Sequence, residues 1–372
     1  CQVSPTPNPQ FIATFRSFDA GATWDSGAVP QLPAGSNGDD VTVAFDARGR
    51  GYVCATSYAG GRAVYVWRTD DGGRSFSAPV TLVAGQYCDH PWMAAGSGPI
   101  TSEQNVYVVW GAGLGATALD FTRSTDGGVS FQTPRRILGQ DLRSELSAGP
   151  ELAAGAHGLV CAVCNRTMHY MGGHHGPSGD LVGEVVAVCS TDRGDSFGAP
   201  VRLGTQTAVI SLPGGALPNS GPTVAASPDS DAVYVAWTTH HAGAIHQDIV
   251  VTVSHDRGRS WSKPVIATPH NSVTYFQPNL AVDGAGRVGI SAFALANGRV
   301  NEVLLISEPR ELRFESAIKV TTAPFDPHSA TTSAPKHGAW WIGDYQGITA
   351  SAGAFHLVWN DTRTGKLELF AA

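Results

Sequence analysis

An eight-residue pattern, S/T-x-D-x-G-x-S/T-F/W, occurs five times in the chain and restricts its fold more than any other feature. The copies are Ser17 to Trp24, Thr69 to Phe76, Ser124 to Phe131, Ser190 to Phe197 and Ser254 to Trp261. Apolar runs that read as strands precede them, as in Phe11 to Phe15, Ala63 to Trp67 and Glu184 to Cys189. After the second, fourth and fifth copies the chain passes into Ala-Pro-Val or Lys-Pro-Val, where a new strand begins. Each copy is therefore a turn between two strands. Its aspartate can accept hydrogen bonds from the N–H groups of its own turn, and its glycine supplies a positive φ without steric cost. The aromatic that follows can be buried and pin the hairpin to a neighbour. These roles are structural, not catalytic.

Five such turns resemble the Asp-box repeats of the sialidase superfamily, and the resemblance runs over nearly the whole chain. What it implies is a β-propeller, in which each box links the third and fourth strands of a blade on the face away from the binding site.

Spacing sets the number of blades. The box aspartates stand at 19, 71, 126, 192 and 256, in steps of 52, 55, 66 and 64 residues. One more step reaches Ser307 to Phe314, which keeps the Ser and the Phe but has Pro309 for the aspartate and Glu311 for the glycine. It reads as a decayed sixth copy. The chain left over at the two ends suffices for one further blade. The expectation is an all-β, six-bladed β-propeller of four-stranded antiparallel blades, with seven blades as the alternative. Residues 1–10 form a Pro-rich lead-in. Residues 11–372 form a single domain, closed by pairing the strand near Leu367 to Phe370 with the stretch Phe11 to Val29. The first strands of the complete blades begin near Val41, Trp92, Glu151, Thr223 and Asn279, and no stretch shows a helical period.

Charge and cysteine usage narrow the function. Charged residues are 15% of the chain, the net charge is −7 and there is no basic run, which excludes a nucleic-acid partner. No apolar stretch is long enough to span a bilayer as a helix. Of six cysteines, Cys161 and Cys164 lie on one expected strand and Cys189 on the next, so they read either as buried thiols or as a cross-strand disulfide. The opening Cys1-Gln-Val-Ser-Pro resembles a mature lipoprotein whose cysteine carries the lipid. An extracellular or surface-attached monomer is expected.

The sialidase resemblance also implies chemistry. Tyr345 would be the nucleophile, Glu151 its base and Asp89 the acid/base; a tyrosine nucleophile is an exception to two-carboxylate glycosidase chemistry. Arg62, Arg166, Arg299 and Arg363 would grip the carboxylate of an acidic sugar, a task suited to planar guanidinium groups. Asp344, Gln277, His174 and His241 would complete the substrate site. One departure stands out: the chain lacks the Arg-Ile-Pro that supplies a carboxylate-binding arginine in such sialidases, and carries Asp39-Asp40 at the equivalent strand start. The histidines open a second route. His169, His174 and His175 share one loop, and His240, His241 and His246 share another. These loops could hold a transition metal, although no cofactor is required by either chemistry. His90 could act as base with Tyr345 as acid in β-elimination from a uronic acid. Three readings remain open: a glycoside hydrolase on a terminal acidic sugar, a lyase on a uronic-acid polysaccharide, and a non-catalytic carbohydrate-binding propeller. An acidic glycan is the partner in all three.

Overall fold

Short apolar runs broken by glycine- and aspartate-rich turns give strands throughout. A computed structural model describes residues 2–3, 11–59, 61–96, 104–113, 118–139, 149–171, 180–209, 216–217, 221–239, 246–329 and 340–372. Among these the only helical piece is the single 3-10 turn Ala156–Gly158. Five four-stranded sheets follow one plan, each strand pairing with the one before it, over residues 39–84, 88–138, 151–209, 223–266 and 274–319. A sixth sheet consists of Gly347–Ser351, Ala354–Asp361 and Glu368–Ala371. Near the N-terminus, Phe15–Arg16 pairs with Asp25–Ser26 in a short hairpin of its own. The fold is an all-β, six-bladed β-propeller, as the step arithmetic anticipates.

Residue contacts divide the chain into two compact units. The first comprises Cys1–Ala162, Ala187–Pro200 and Asp229–Asp231, and the second Val163–Val186, Val201–Pro228 and Ala232–Ala372.

Within each unit both faces of a sheet are buried, which explains why apolar residues run on without strict alternation. In the first unit, Tyr52, Cys54, Val64 and Val66 pack against Met93, Val106, Val108 and Trp110 of the next sheet. The alternate residues Val53, Ala55, Tyr65 and Trp67 face the other way, onto Ile12. In the second unit, Tyr234, Ala236 and Val251 meet Leu280, Ile290 and Ala292 in the same manner.

The repeated turns join third to fourth strands in four of the five complete sheets, and the first copy closes the N-terminal hairpin. Their geometry explains their residues. Ser254 Oγ donates to Asp256 Oδ1 (2.7 Å) and accepts from the Gly258 N–H (2.8 Å). Asp256 Oδ2 accepts from Ser260 Oγ (2.5 Å), and Oδ1 from the Ser260 N–H (2.8 Å). These bonds, the Ser260 hydroxyl first, hold the Asp256 carboxyl down at about 2. The same Ser/Thr–Asp–Ser/Thr pattern recurs at Asp19, Asp71, Asp126 and Asp192. The degenerate copy keeps its position, between Arg299–Ser307 and Phe314–Lys319, but without an aspartate Ser307 Oγ turns to the Glu308 carbonyl.

Cys161 and Cys189 form a disulfide, so the cross-strand alternative holds, while Cys54, Cys88 and Cys164 are buried thiols.

Candidate functional site

Three first strands begin with the same irregularity. Between Asp39 and Thr42, between Asp89 and Trp92, and between Phe276 and Asn279, the strand carries one residue more than its partner. The first residue inside each bulge is left-handed: Asp40 at φ 44°, His90 at φ 46° and Gln277 at φ 53°. A bulge of this kind normally takes glycine there. A non-glycine residue in this region costs about 1 kcal/mol or more and is held only by its surroundings. The device turns a polar side chain out of the strand's alternation.

In the first unit two of these bulges converge. Tyr58, just past the second strand of the first sheet, places its hydroxyl against both Asp40 Oδ2 (2.5 Å) and Asp89 Oδ1. Thr56 Oγ1 also donates to Asp40 Oδ2 (3.2 Å), and Tyr87 Oη donates to Asp89 Oδ2 (2.9 Å). His90 Nδ1 lies 3.6 Å from Asp40 Oδ1. Arg62 covers the two tyrosines, its guanidinium carbon 4.7 Å from the Tyr58 ring centre and 4.1 Å from that of Tyr87, and Nη1 donates to the Cys88 carbonyl (3.1 Å). Cation–π attraction of this kind fixes both rings and the cation together. Burial first, then the flanking carboxylates of Asp40 and Asp89, pushes the Tyr58 phenol far above its usual range. Tyr87 rises to about 12, chiefly by burial and then by its bond to Asp89. Both phenols therefore keep their protons at neutral pH. The His90 ring rests on Gly149, where a Cβ would fall 2.1 Å from the His90 Cβ, so position 149 accepts no side chain.

This cluster unites three of the anticipated residues, Arg62, Asp89 and His90, with Asp40. Glu151 opens the first strand of the third sheet, half-buried, in the same unit. The roles of Tyr58 and Tyr87 escaped sequence reading. The bulges had a signal in the Pro after the displaced residue: His90-Pro91 and Gln277-Pro278, echoed by Gly149-Pro150 and Gly221-Pro222 before two other first strands.

The remaining candidates fall in the second unit. Gln277 Nε2 donates to the Gly343 carbonyl (3.3 Å), and Gln346 Nε2 to the Gln277 carbonyl (3.1 Å). Tyr345 follows Asp344 in this segment, half-buried, and its carbonyl accepts from Asn360 Nδ2 (3.2 Å). The three arginines there have carboxylates of their own chain: Arg166 pairs with Glu184 (3.0 Å), Arg299 with Asp326 (3.7 Å) and Arg363 with Asp361. His174 and His241 lie outside the described residues. One group in this unit is not anticipated by the sequence. Glu302, opposite Phe293 in the fifth sheet, is wholly buried, and neither of its oxygens has a hydrogen-bond partner among the described residues. Burial, and secondarily the charge of Asp361, raises its pKa well above the usual carboxylate range.

No protein-family model matches the sequence, and no curated protein matches it. Solved structures do. An ulvan lyase, a polysaccharide lyase bound to -[GlcA(1-4)Rha3S]-, is similar with a TM-score of 0.57 and 10% identity, over 97% of this chain and 86% of that one. The Aleuria aurantia lectin, in complex with Fucalpha1-6GlcNAc, gives a TM-score of 0.52 at 9% identity, over 89% of this chain and 91% of that one. A leech intramolecular trans-sialidase gives 0.47 at 11% identity, over 93% of this chain and 70% of that one. At such identities the likeness is one of fold. No helix among the described residues is long and apolar enough to cross a membrane.

Proposed function

We propose that the chain is a carbohydrate-active propeller, a glycoside hydrolase that cleaves an acidic sugar at the Asp40–Tyr58–Asp89 cluster. The observation that carries this reading is the single phenol in contact with two carboxylates. One hydroxyl has one proton to give. Tyr58 Oη shares it between Asp40 Oδ2 and Asp89 Oδ1, and cleavage requires the enzyme to enter the cycle with a proton on Asp89. That arrangement supplies the parts of a tyrosine-nucleophile glycosidase. Tyr58 Oη attacks the anomeric carbon as its proton passes to Asp40, while Asp89 gives its proton to the departing glycosidic oxygen. Water, with Asp89 now as base, then releases the sugar and restores the phenol. Tyr58 takes the role that the sialidase resemblance gives to Tyr345, and Asp40 that of Glu151. Arg62, the arginine of this cluster, faces the sugar carboxylate. The high pKa of Tyr58 means that attack and proton loss are concerted, with no standing phenolate.

A second reading has its own observation. His90 faces Asp40 at 3.6 Å, an orientation in which the imidazole can act as a base and Tyr58 as the acid in β-elimination from a uronate. Glycan-handling proteins of the same fold, a polysaccharide lyase and a lectin, support a carbohydrate ligand without choosing between these chemistries. The disulfide supports an oxidising, extracellular location.

Tyr58→Phe separates the possibilities. Assayed on a fluorogenic sialoside and on uronate polysaccharides, the hydrolase reading expects new reducing ends without unsaturated uronate absorbance, and a loss of about 1,000-fold or more in the variant, in line with removal of a nucleophile. Unsaturated uronate products favour the lyase. Full activity in Tyr58→Phe refutes both.

A further inference from the structure

We propose that Asp40, Asp89 and His90 form a binding site for one divalent transition-metal cation of the zinc or manganese kind. One ligand atom from each of the three side chains lies within 4.8 Å of the other two, a spacing a single ion can bridge. Asp40 comes from one sheet and the adjacent pair Asp89 and His90 from the next, so the meeting of the two bulges does not follow from nearness in sequence; Tyr58, which ties Asp40 to Asp89, is 18 residues from one and 31 from the other.

Two observations point to a cation and not merely to an acidic surface. The first is charge. Asp40 is 8% exposed, and its carboxylate and that of Asp89 share one phenol. Arg62, the arginine of this cluster, stacks on the two tyrosine rings and donates to the Cys88 carbonyl. A cation beside His90 would replace the proton that Asp89 carries at the start of the hydrolytic cycle. The second is the seat of the histidine. The backbone at Gly149 closes on the His90 ring, with the position of an absent Cβ 2.7 Å from His90 Cγ. The imidazole packs against the Gly149 backbone with Nδ1 3.6 Å from Asp40 Oδ1. A ligand histidine needs its ring set in advance in this way.

The donor chemistry selects the ion. Two carboxylate oxygens and one imidazole nitrogen suit Zn2+, which takes mixed N,O sets at four-coordination, and Mn2+, which is octahedral but accepts imidazole beside carboxylates and water. Ca2+ wants six to eight oxygens, and Mg2+ keeps several of its waters, so neither is matched by this set. An ion here ligates the carboxylates that Tyr58 and the leaving group need. Where the hydrolase reading holds, the cation is therefore an inhibitor of the same site. The cation site itself stands on donor geometry and does not depend on that reading.

The test is titration of the full chain, freed of metal with EDTA and dialysed, with ZnCl2 and with MnCl2, followed by calorimetry and by thermal melting. One equivalent of Zn2+ is expected to bind and raise the melting temperature, with CaCl2 and MgCl2 giving no comparable shift. Asp89→Asn and His90→Ala should each weaken the binding tenfold or more while melting like the parent in EDTA. Tyr58→Phe should still bind, which separates metal binding from turnover. Because the chain has 13 histidines, stoichiometric binding that survives both Asp89→Asn and His90→Ala would place the ion elsewhere and overturn the proposal. Should those variants not fold, Co2+ added to the parent gives a second readout: d–d absorption bands of a mixed N,O site, quenched by one equivalent of Zn2+. Their absence would overturn it equally.

Discussion

Replacing Glu302 with glutamine should make the protein more stable at neutral pH and flatten part of its pH dependence. Glu302 has no hydrogen-bond partner among the described residues, and the nearby Asp361 is already engaged by Arg363. Burial and the Asp361 charge keep its proton on well above the usual carboxylate range. The folded protein therefore holds a proton that the unfolded chain releases. The sign follows: the contribution is fully present below about 4.5 and is lost as pH rises through the raised pKa. Each pH unit over that span costs about 1.4 kcal/mol for one proton. Between about 4.5 and 7 the ceiling is about 3 kcal/mol, reached if the carboxyl stays protonated throughout. Glutamine has the same shape and no proton to lose. Urea unfolding of parent and Glu302→Gln, followed by tryptophan fluorescence at about pH 4.5, 6 and 7.5, should show the two nearly equal at the acid end and the variant ahead at the neutral end. Parallel stability curves would show that Glu302 ionises within the fold at no cost, and the account of its environment would be wrong.

The repeated turns respond to acid in the opposite sense. Asp256 is held down at about 2, so its contribution is present above about 3.8 and lost as pH falls through about 2; Asp256→Asn should be destabilised by about 1–2 kcal/mol at neutral pH and lose less than the parent on acidification. The Cys161–Cys189 bond spans 28 residues, and converting both to serine should lower stability by about 3.5 kcal/mol on the chain-entropy model, read from urea midpoints under non-reducing conditions. Tyr58→Phe should abolish glycan cleavage and shift the melting temperature little, since the ring and its stack on Arg62 remain; loss of folding in that variant would mean the phenol is structural.

The fold was legible because its signal is local. Each Asp-containing turn satisfies itself within four residues, so the pattern of Ser254, Asp256, Gly258 and Ser260 can be read one copy at a time. The candidate site was legible only in part, for the opposite reason. Asp89 and His90 stood out as polar residues at a strand start, but nothing periodic ties Tyr58 to either of them. The arginines illustrate the same limit. Arg166 and Arg299 look alike in sequence as free guanidinium groups, and the carboxylates of Glu184 and Asp326 that face them come from other parts of the chain, whereas Arg363 meets Asp361 only two residues before it. Glu302 carried no warning at all, because a charged residue in a strand reads as solvent-facing until the neighbouring sheet is in place.

The bulge at the head of the first strand has a consequence for how such a protein can change. At three places one backbone conformation presents three different side chains: the carboxylate of Asp40, the imidazole of His90 and the amide of Gln277. The distortion is paid for by the sheet, not by the side chain it displays. Each position is thus an interchangeable socket, into which another polar group can be fitted without redrawing the main chain. A family of such proteins could drift from proton transfer to cation capture, or to simple sugar binding, by single substitutions at these sockets while the blades stay as they are. Exchanging the residues at 40, 90 and 277 among themselves, one at a time, should therefore alter ligand preference far more than it alters folding.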